Sequence, residues 1–246
     1  MSKLSLSVLA AIAAFIASFP VFTAEASTKT FEQWCQQKDS LSAGAKKTVE
    51  VLLKQAETQD CKAASQNLNS LEKLFIPEGI TDVEPIASLV NLSDLDLGGN
   101  EIKDIRPLAN LTKLTKLGLF GNKVKDIAPL AKLTLLSELD LTGNEIRDIR
   151  PLANLTNLTE LGLFYNQVED IAPLAKLTLL SELNLGGNEI KDIRPLANFT
   201  KLTKLGLFSN GVEDITPLAK LTLLSELDLG GNAIRDIRPL ANLTNL

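Results

Sequence analysis

From Leu89 onward an apolar residue returns at a fixed phase: Leu89, Leu111, Leu133, Leu155, Leu177, Phe199, Leu221 and Leu243 are each 22 residues apart. The phrase between them reads LxxLxxLxLxxNx(I/V)xDIxPLA(N/K). Two hydrophobic periods alternate within it. In Leu114–Asn122 (LTKLGLFGN), Leu117 and Leu119 alternate with polar or small residues, which predicts a short strand with one buried face. Val124, Ile127, Leu130 and Leu133 then bring the chain back to the core. Pro129 lacks a backbone donor and biases Ala128 toward an extended conformation, so this return limb is predicted as 3₁₀ turns or irregular chain rather than a full α-helix. Asn122 closes the strand. Its amide can satisfy backbone groups where the chain turns inward, and stacked units would line up Asn100, Asn122, Asn144, Asn166, Asn188, Asn210 and Asn232 as a ladder.

No unit of this kind can bury its leucines alone; stacking does so, and it aligns the strands into one parallel sheet. At roughly 4.8 Å per strand, eight of them span about 35 Å. The period and the L-x-x-L-x-L-x-x-N core are those of leucine-rich repeats. The fold class expected is an α/β repeat solenoid: a curved horseshoe with a parallel concave sheet, a 3₁₀ or irregular convex side and a small helical N-terminal cap. Leu68–Ser88 is a degenerate first coil without the Asn and one residue short, as terminal repeats often are. The repeats therefore run over 68–246, about eight in all with the last incomplete, preceded by a cap at 27–67 and a leader at 1–26. The repeats run to Leu246 without the pattern of a terminal cap, so core leucines such as Leu229 and Leu240 are expected at an open face.

The leader carries Lys3, an apolar run Leu4–Phe22 and the A-x-A site Ala24-Glu25-Ala26, the pattern of a cleaved secretory signal. An uncleaved membrane anchor is the rival reading, since the run is nearly long enough to span. With cleavage the rest has no second apolar span, and no stable membrane insertion is expected. In the cap, Thr30 precedes Phe31, Trp34 and Cys35 at helical spacing; Ser42 precedes a stripe of Ala45, Val49, Leu52, Leu53 and Ala56; Asp60 precedes Cys61, Ala64 and Leu68. Cys35 and Cys61, the two cysteines, are expected to pair in an oxidising compartment.

Composition narrows function mainly by exclusion. The chain has no histidine, which removes His-based triads, general bases and metal sites. Its net charge of −5 argues against a nucleic-acid partner. No nucleophile–base pair, phosphate loop or metal cluster is seen, so neither enzyme nor cofactor is expected. Asp96, Asp140 and Asp228 lie on separate coils, too far apart to converge on one calcium ion.

The candidate binding residues fall in columns on the predicted concave face. One holds Asp96, Gly118, Asp140, Gly162, Asn184, Gly206 and Asp228; a second holds Asp94, Lys116, Glu138, Glu160, Glu182, Lys204 and Glu226. A third alternates Gly98, Phe120, Thr142, Phe164, Gly186, Phe208 and Gly230, with Tyr165 beside Phe164. Phe120, Phe164 and Phe208 read either as interface anchors or as rings folded over the strand edge into the core. The carboxylates of Asp96, Asp140, Asp228, Glu138, Glu160, Glu182 and Glu226 suit a partner with a basic patch, or serve as a solvated face. The aspartates Asp104, Asp126, Asp148, Asp170, Asp192, Asp214 and Asp236 are expected to start the return turn by accepting local backbone bonds. Arg106, Arg150, Arg194 and Arg238 are expected on the convex side as a solvated face.

The phrase N-x-I-x-D-I-x-P-L-x-x-L-T-x-L, as in Asn144–Leu158, resembles the bacterial internalin-type leucine-rich repeat, whose 22-residue class also includes phosphatase-regulating repeat proteins. The cap wording TFEQWCQQKDS is similar to N-termini of exported cyanobacterial repeat proteins. The resemblance implies protein–protein recognition through the concave face, and in pathogen members adhesion to host surfaces. It carries over no individual ligand contact. The function expected is a secreted module binding a protein partner, in the periplasm, at the cell surface or outside it. A structural or adhesive envelope component acting through assembly or avidity is the alternative.

Overall fold

The computed structural model describes residues 29–77 and 79–246; the leader predicted at 1–26 lies outside the described residues. Three helices come first, α1 (Phe31–Gln36), α2 (Ala43–Gln55) and α3 (Cys61–Asn69). Each starts where a polar side chain satisfies an orphan amide. Thr30 and Gln33 form a reciprocal capping box, Ser42 accepts from the Ala45 N–H, and Asp60 accepts from the Ala63 N–H. The stripes predicted for them are buried, from Phe31 through Leu52 to Leu68. A disulfide between Cys35 and Cys61 ties α1 to α3, with Cα atoms 5.5 Å apart. Helix α2 lies on the first coil: the Thr48 hydroxyl donates to the Asp82 carbonyl at 2.6 Å and Lys47 donates to the Gly79 carbonyl at 2.8 Å.

Among the described residues one parallel sheet then runs in sequence order through eight strands. They are β1 (Lys73–Phe75), β2 (Asp94–Asp96), β3 (Lys116–Gly118), β4 (Glu138–Asp140), β5 (Glu160–Gly162), β6 (Glu182–Asn184), β7 (Lys204–Gly206) and β8 (Glu226–Asp228). Asp94 opposes Lys116, 22 residues on, and later pairs keep that offset; Lys73 opposes Asp94, 21 residues on, because the first coil is short. The middle leucine of each strand points inward. Leu95, Leu117, Leu139, Leu161, Leu183 and Leu205 are buried, and Leu227 in the last coil is half-buried.

The return limbs are 3₁₀ turns with proline in their first turn, such as Arg106–Asn110 and Ala128–Lys132. The Asn ladder forms as predicted and joins three segments at each step. Asn144 donates to the carbonyls of Leu119 in the preceding coil (2.9 Å) and Leu141 in its own (3.0 Å), and accepts from the Val124 N–H at 3.0 Å. The return-turn aspartates each accept from an amide two residues on, for example Asp126 from Ala128 at 2.9 Å and Asp170 from Ala172 at 2.8 Å. Where that residue is arginine, the guanidinium also folds back onto the same carboxylate, as Arg150 onto Asp148 at 2.5 Å and Arg194 onto Asp192 at 2.5 Å. The arginine column is thus neutralised coil by coil. No helix among the described residues is long and apolar enough to cross a membrane.

Candidate functional site

The exposed face of the sheet forms an open groove of about 1110 Å³ that spans β2 to β8. Strands of three residues put two outward side chains each on this face, and the chain leaving each strand adds a third. The register sets the columns expected from sequence: Asp94, Lys116, Glu138, Glu160, Glu182, Lys204 and Glu226 are successive partners, as are Asp96, Gly118, Asp140, Gly162, Asn184, Gly206 and Asp228.

The glutamate column carries its own partial compensation, which the sequence reading did not anticipate. Lys116 meets Glu138 at 2.5 Å, and Lys204 meets Glu182 at 3.0 Å and Glu226 at 3.8 Å. Both lysines are held above the usual ammonium range, Lys116 first by its bond to Glu138 and Lys204 first by its bond to Glu182. Glu160 sits between the two pairs and has no salt-bridge partner among the described residues. Its carboxyl is pushed up from the usual range, first by burial and then by the charges of Glu138 and Glu182.

The aspartates of the middle column have a second employment. Asp96, Asp140 and Asp228 accept from the N–H two residues on, at Gly98 (2.8 Å), Thr142 (2.9 Å) and Gly230 (3.0 Å), and so brace the bend at the end of the strand. Asp96 and Asp140 lean over the following coil, where glycine makes room. The Asp96 Oδ1 lies 2.7 Å from where a Cβ on Gly118 would sit, and the Asp140 Oδ1 is equally close to that position on Gly162. These residues line the groove with one carboxylate oxygen already engaged.

The aromatic column combines both readings of it. Phe120, Phe164 and Phe208 each lie against a glycine of a neighbouring coil: a Cβ on Gly98 would run into the Phe120 ring, one on Gly186 would meet the Phe164 ring at 2.9 Å, and one on Gly230 the Phe208 ring at 3.2 Å. The rings nonetheless stay out of the core. Phe120 and Phe208 are each 40% exposed, Phe164 is half-buried, and Tyr165 is 58% exposed. Tyr165 packs on Phe164 with ring centroids 4.0 Å apart. Its backbone is left-handed (φ 49°), at the phase where Gly99, Gly121, Gly143, Gly187 and Gly231 occupy the same region. That glycine column was visible in the sequence and marks Tyr165 as an exception.

The comparisons fit this architecture. The family described as Leucine Rich repeats (2 copies) matches residues 112–154, 156–198 and 200–242. The chain belongs to the leucine-rich repeat family, and its repeats are of the internalin-like kind. It is 41% identical to internalin C2 of Listeria monocytogenes over 80% of this chain and 88% of that one, with a TM-score of 0.75. A second Listeria monocytogenes internalin (inlF) is 35% identical over 80% of this chain and 72% of that one, at a TM-score of 0.50. The repeat ectodomain of the Arabidopsis receptor kinase HAESA, solved with a peptide hormone ligand, is 25% identical over 74% of this chain and 34% of that one, at a TM-score of 0.66. No curated protein matches the chain.

Proposed function

We propose that the chain is a secreted binding module that recognises a protein partner through the concave, sheet-lined face. In this reading 1–26 direct export, 27–67 cap the solenoid and 68–246 are the recognition repeats. The observation that carries it is the row of half-exposed rings, Phe120, Phe164 and Phe208, beside the groove, with Tyr165 held in an unfavourable backbone state next to them. Rings that neither enter the core nor avoid solvent are the side chains that dominate protein interfaces. The disulfide supports export, since such bonds persist in oxidising compartments. Glutamates that outnumber lysines along the column from Asp94 to Glu226 favour a partner with a basic patch.

Capture from the producing organism's extracellular and surface proteins, with the mature chain immobilised, tests this reading. Phe120→Ser, Phe164→Ser and Phe208→Ser together, checked for retained folding, should weaken capture at least about tenfold. A partner held equally well by the triple variant contradicts recognition through this face.

A further inference from the structure

The fifth coil differs from its neighbours in two respects that meet in the same groove. Among the described residues Glu160 is the carboxylate of its column without a cation, lying between Glu138 and Glu182, which have one each. Two residues on, Gly162 leaves a hollow that the Asp140 side chain enters from the preceding coil, with Oδ1 committed to the Thr142 N–H. The Asp140 Oδ2 accepts no hydrogen bond among the described residues. Glu160 and Gly162 stand on one face of an extended strand, about 7 Å apart. Two carboxylates that lack compensation thus face one open space. A further two residues along is the Phe164–Tyr165 pair, the aromatic contact whose tyrosine holds the left-handed state.

The chemistry of this space selects its occupant. An anion is repelled. A hard cation such as calcium needs six or more oxygens, and two carboxylates on separate solvent-facing columns do not supply them. A guanidinium offers a planar fork of donors to two carboxylates at once, and its weaker hydration lets it leave water more readily than an ammonium does. The rings beside it take an apolar side chain. Same-face side chains of an extended segment repeat at about 7 Å, the spacing between the columns.

Resting on the function proposed above, we propose that the partner contributes an extended segment whose arginine sits between Glu160 and Asp140, with an apolar side chain two residues away on Phe164 and Tyr165. Glu226 provides the control for mere net charge, because it carries the same charge in the same column three coils away. At physiological salt, charges further apart than about 8 Å are largely screened from one another, so a local seat and a diffuse acidic field respond differently to the two positions.

The test is selection of random linear peptides displayed on phage against the immobilised full chain at physiological salt, reading residue frequencies against the input library. Arginine placed two residues from an apolar side chain should be enriched at least about fivefold. That enrichment should vanish on Glu160→Gln with Asp140→Asn, which keeps both shapes and the acceptor for Thr142, and persist on Glu226→Gln. Tyr165→Gly should retain the arginine and lose the apolar preference. Arginine enriched equally on the parent and the Glu160→Gln, Asp140→Asn variant, reduced equally by Glu226→Gln, or absent altogether overturns the inference. Peptides that lack arginine yet depend on Phe120, Phe164 and Phe208 overturn it while leaving concave-face recognition standing. A captured protein indifferent to those rings overturns both.

Discussion

Where strands β2 to β8 end, the chain passes through the left-handed region, and glycine is the residue that does so without cost. Tyr165 and Ser209 make the same passage with side chains, both at φ 49°. The strain at such a position is about 1 kcal/mol or more. Ser209→Gly should therefore raise stability by about 1 kcal/mol in chemical denaturation. Tyr165→Gly should gain less, because it also gives up a ring contact of about 1 kcal/mol with Phe164. An equal gain at both positions would show that the aromatic contact contributes nothing. The ladder asparagines answer to the opposite logic. Asn144→Ala leaves the Val124 N–H without a partner in the interior, while the Leu119 and Leu141 carbonyls keep Asn122 and Asn166, and should cost about 1–3 kcal/mol. Faster hydrogen exchange at Val124 would locate that loss. Asn144 could be assigned from sequence because its phase and its need for partners are both regular. The strain at Tyr165 could be read only by setting it against Gly99, Gly121, Gly143, Gly187 and Gly231 at the same phase.

Between neighbouring strands, charge is the variable. The glutamates at successive positions of β4, β5 and β6 repel one another, and burial raises the Glu160 carboxyl further. A raised folded-state value means that Glu160 opposes folding when ionised and ceases to do so once protonated in both states. Glu160→Gln should accordingly raise the unfolding midpoint at pH 7, and the difference should close as pH falls below the ordinary glutamate value of 4.5. A gain that persists in acid would trace to something other than charge. The return turns behave in the reverse sense. Asp148 and Asp236 are lowered to about 2, first by their side-chain bonds to Arg150 and Arg238. What those aspartates contribute is present above the ordinary value of 3.8 and is lost as pH falls toward about 2. These pairs close within one coil and face solvent, so Arg150→Ala should leave the thermal midpoint nearly unchanged. The element scale is also where sequence and structure part. Strand register was legible because a one-residue slip would expose every core leucine. The arginine–aspartate pairs were not, because residues two apart lie side by side only once the chain has bent into a 3₁₀ turn. The turn-bracing role of Asp96, Asp140 and Asp228 depends on a similar bend after the strand, so periodicity alone grouped them with the outward-facing acids.

At the level of the molecule, the two ends of the cap are joined by a disulfide, while the coils are held to one another by sheet and asparagine hydrogen bonds and by leucine packing. The Cys35–Cys61 bond closes a separation of 26 residues, and its removal by Cys35→Ser with Cys61→Ser should destabilise the cap by about 3–4 kcal/mol on the chain-entropy account. Because α2 lies on the first coil through Thr48 and Lys47, exchange protection in β1 and β2 should fall with it, while that in β5 to β7 is preserved. Uniform loss of protection would mean that the coils unfold as a single unit.

Each coil hands its successor the same set of carbonyls, amides and leucine faces, and the handover from Lys132 to Leu133 is the same as that from Lys176 to Leu177. Excision of 133–176 would join chemically matched ends and leave six of the eight strands in unbroken register. The architecture therefore has no preferred length. It behaves as a ruler whose graduations can be removed or copied in pairs, and the reach of the molecule can change by recombination between near-identical stretches without any new packing problem. The fifth coil is the graduation that bears a mark of its own: Glu160, Phe164 and Tyr165 go with that excision, so a shortened chain should fold and yet have lost its address.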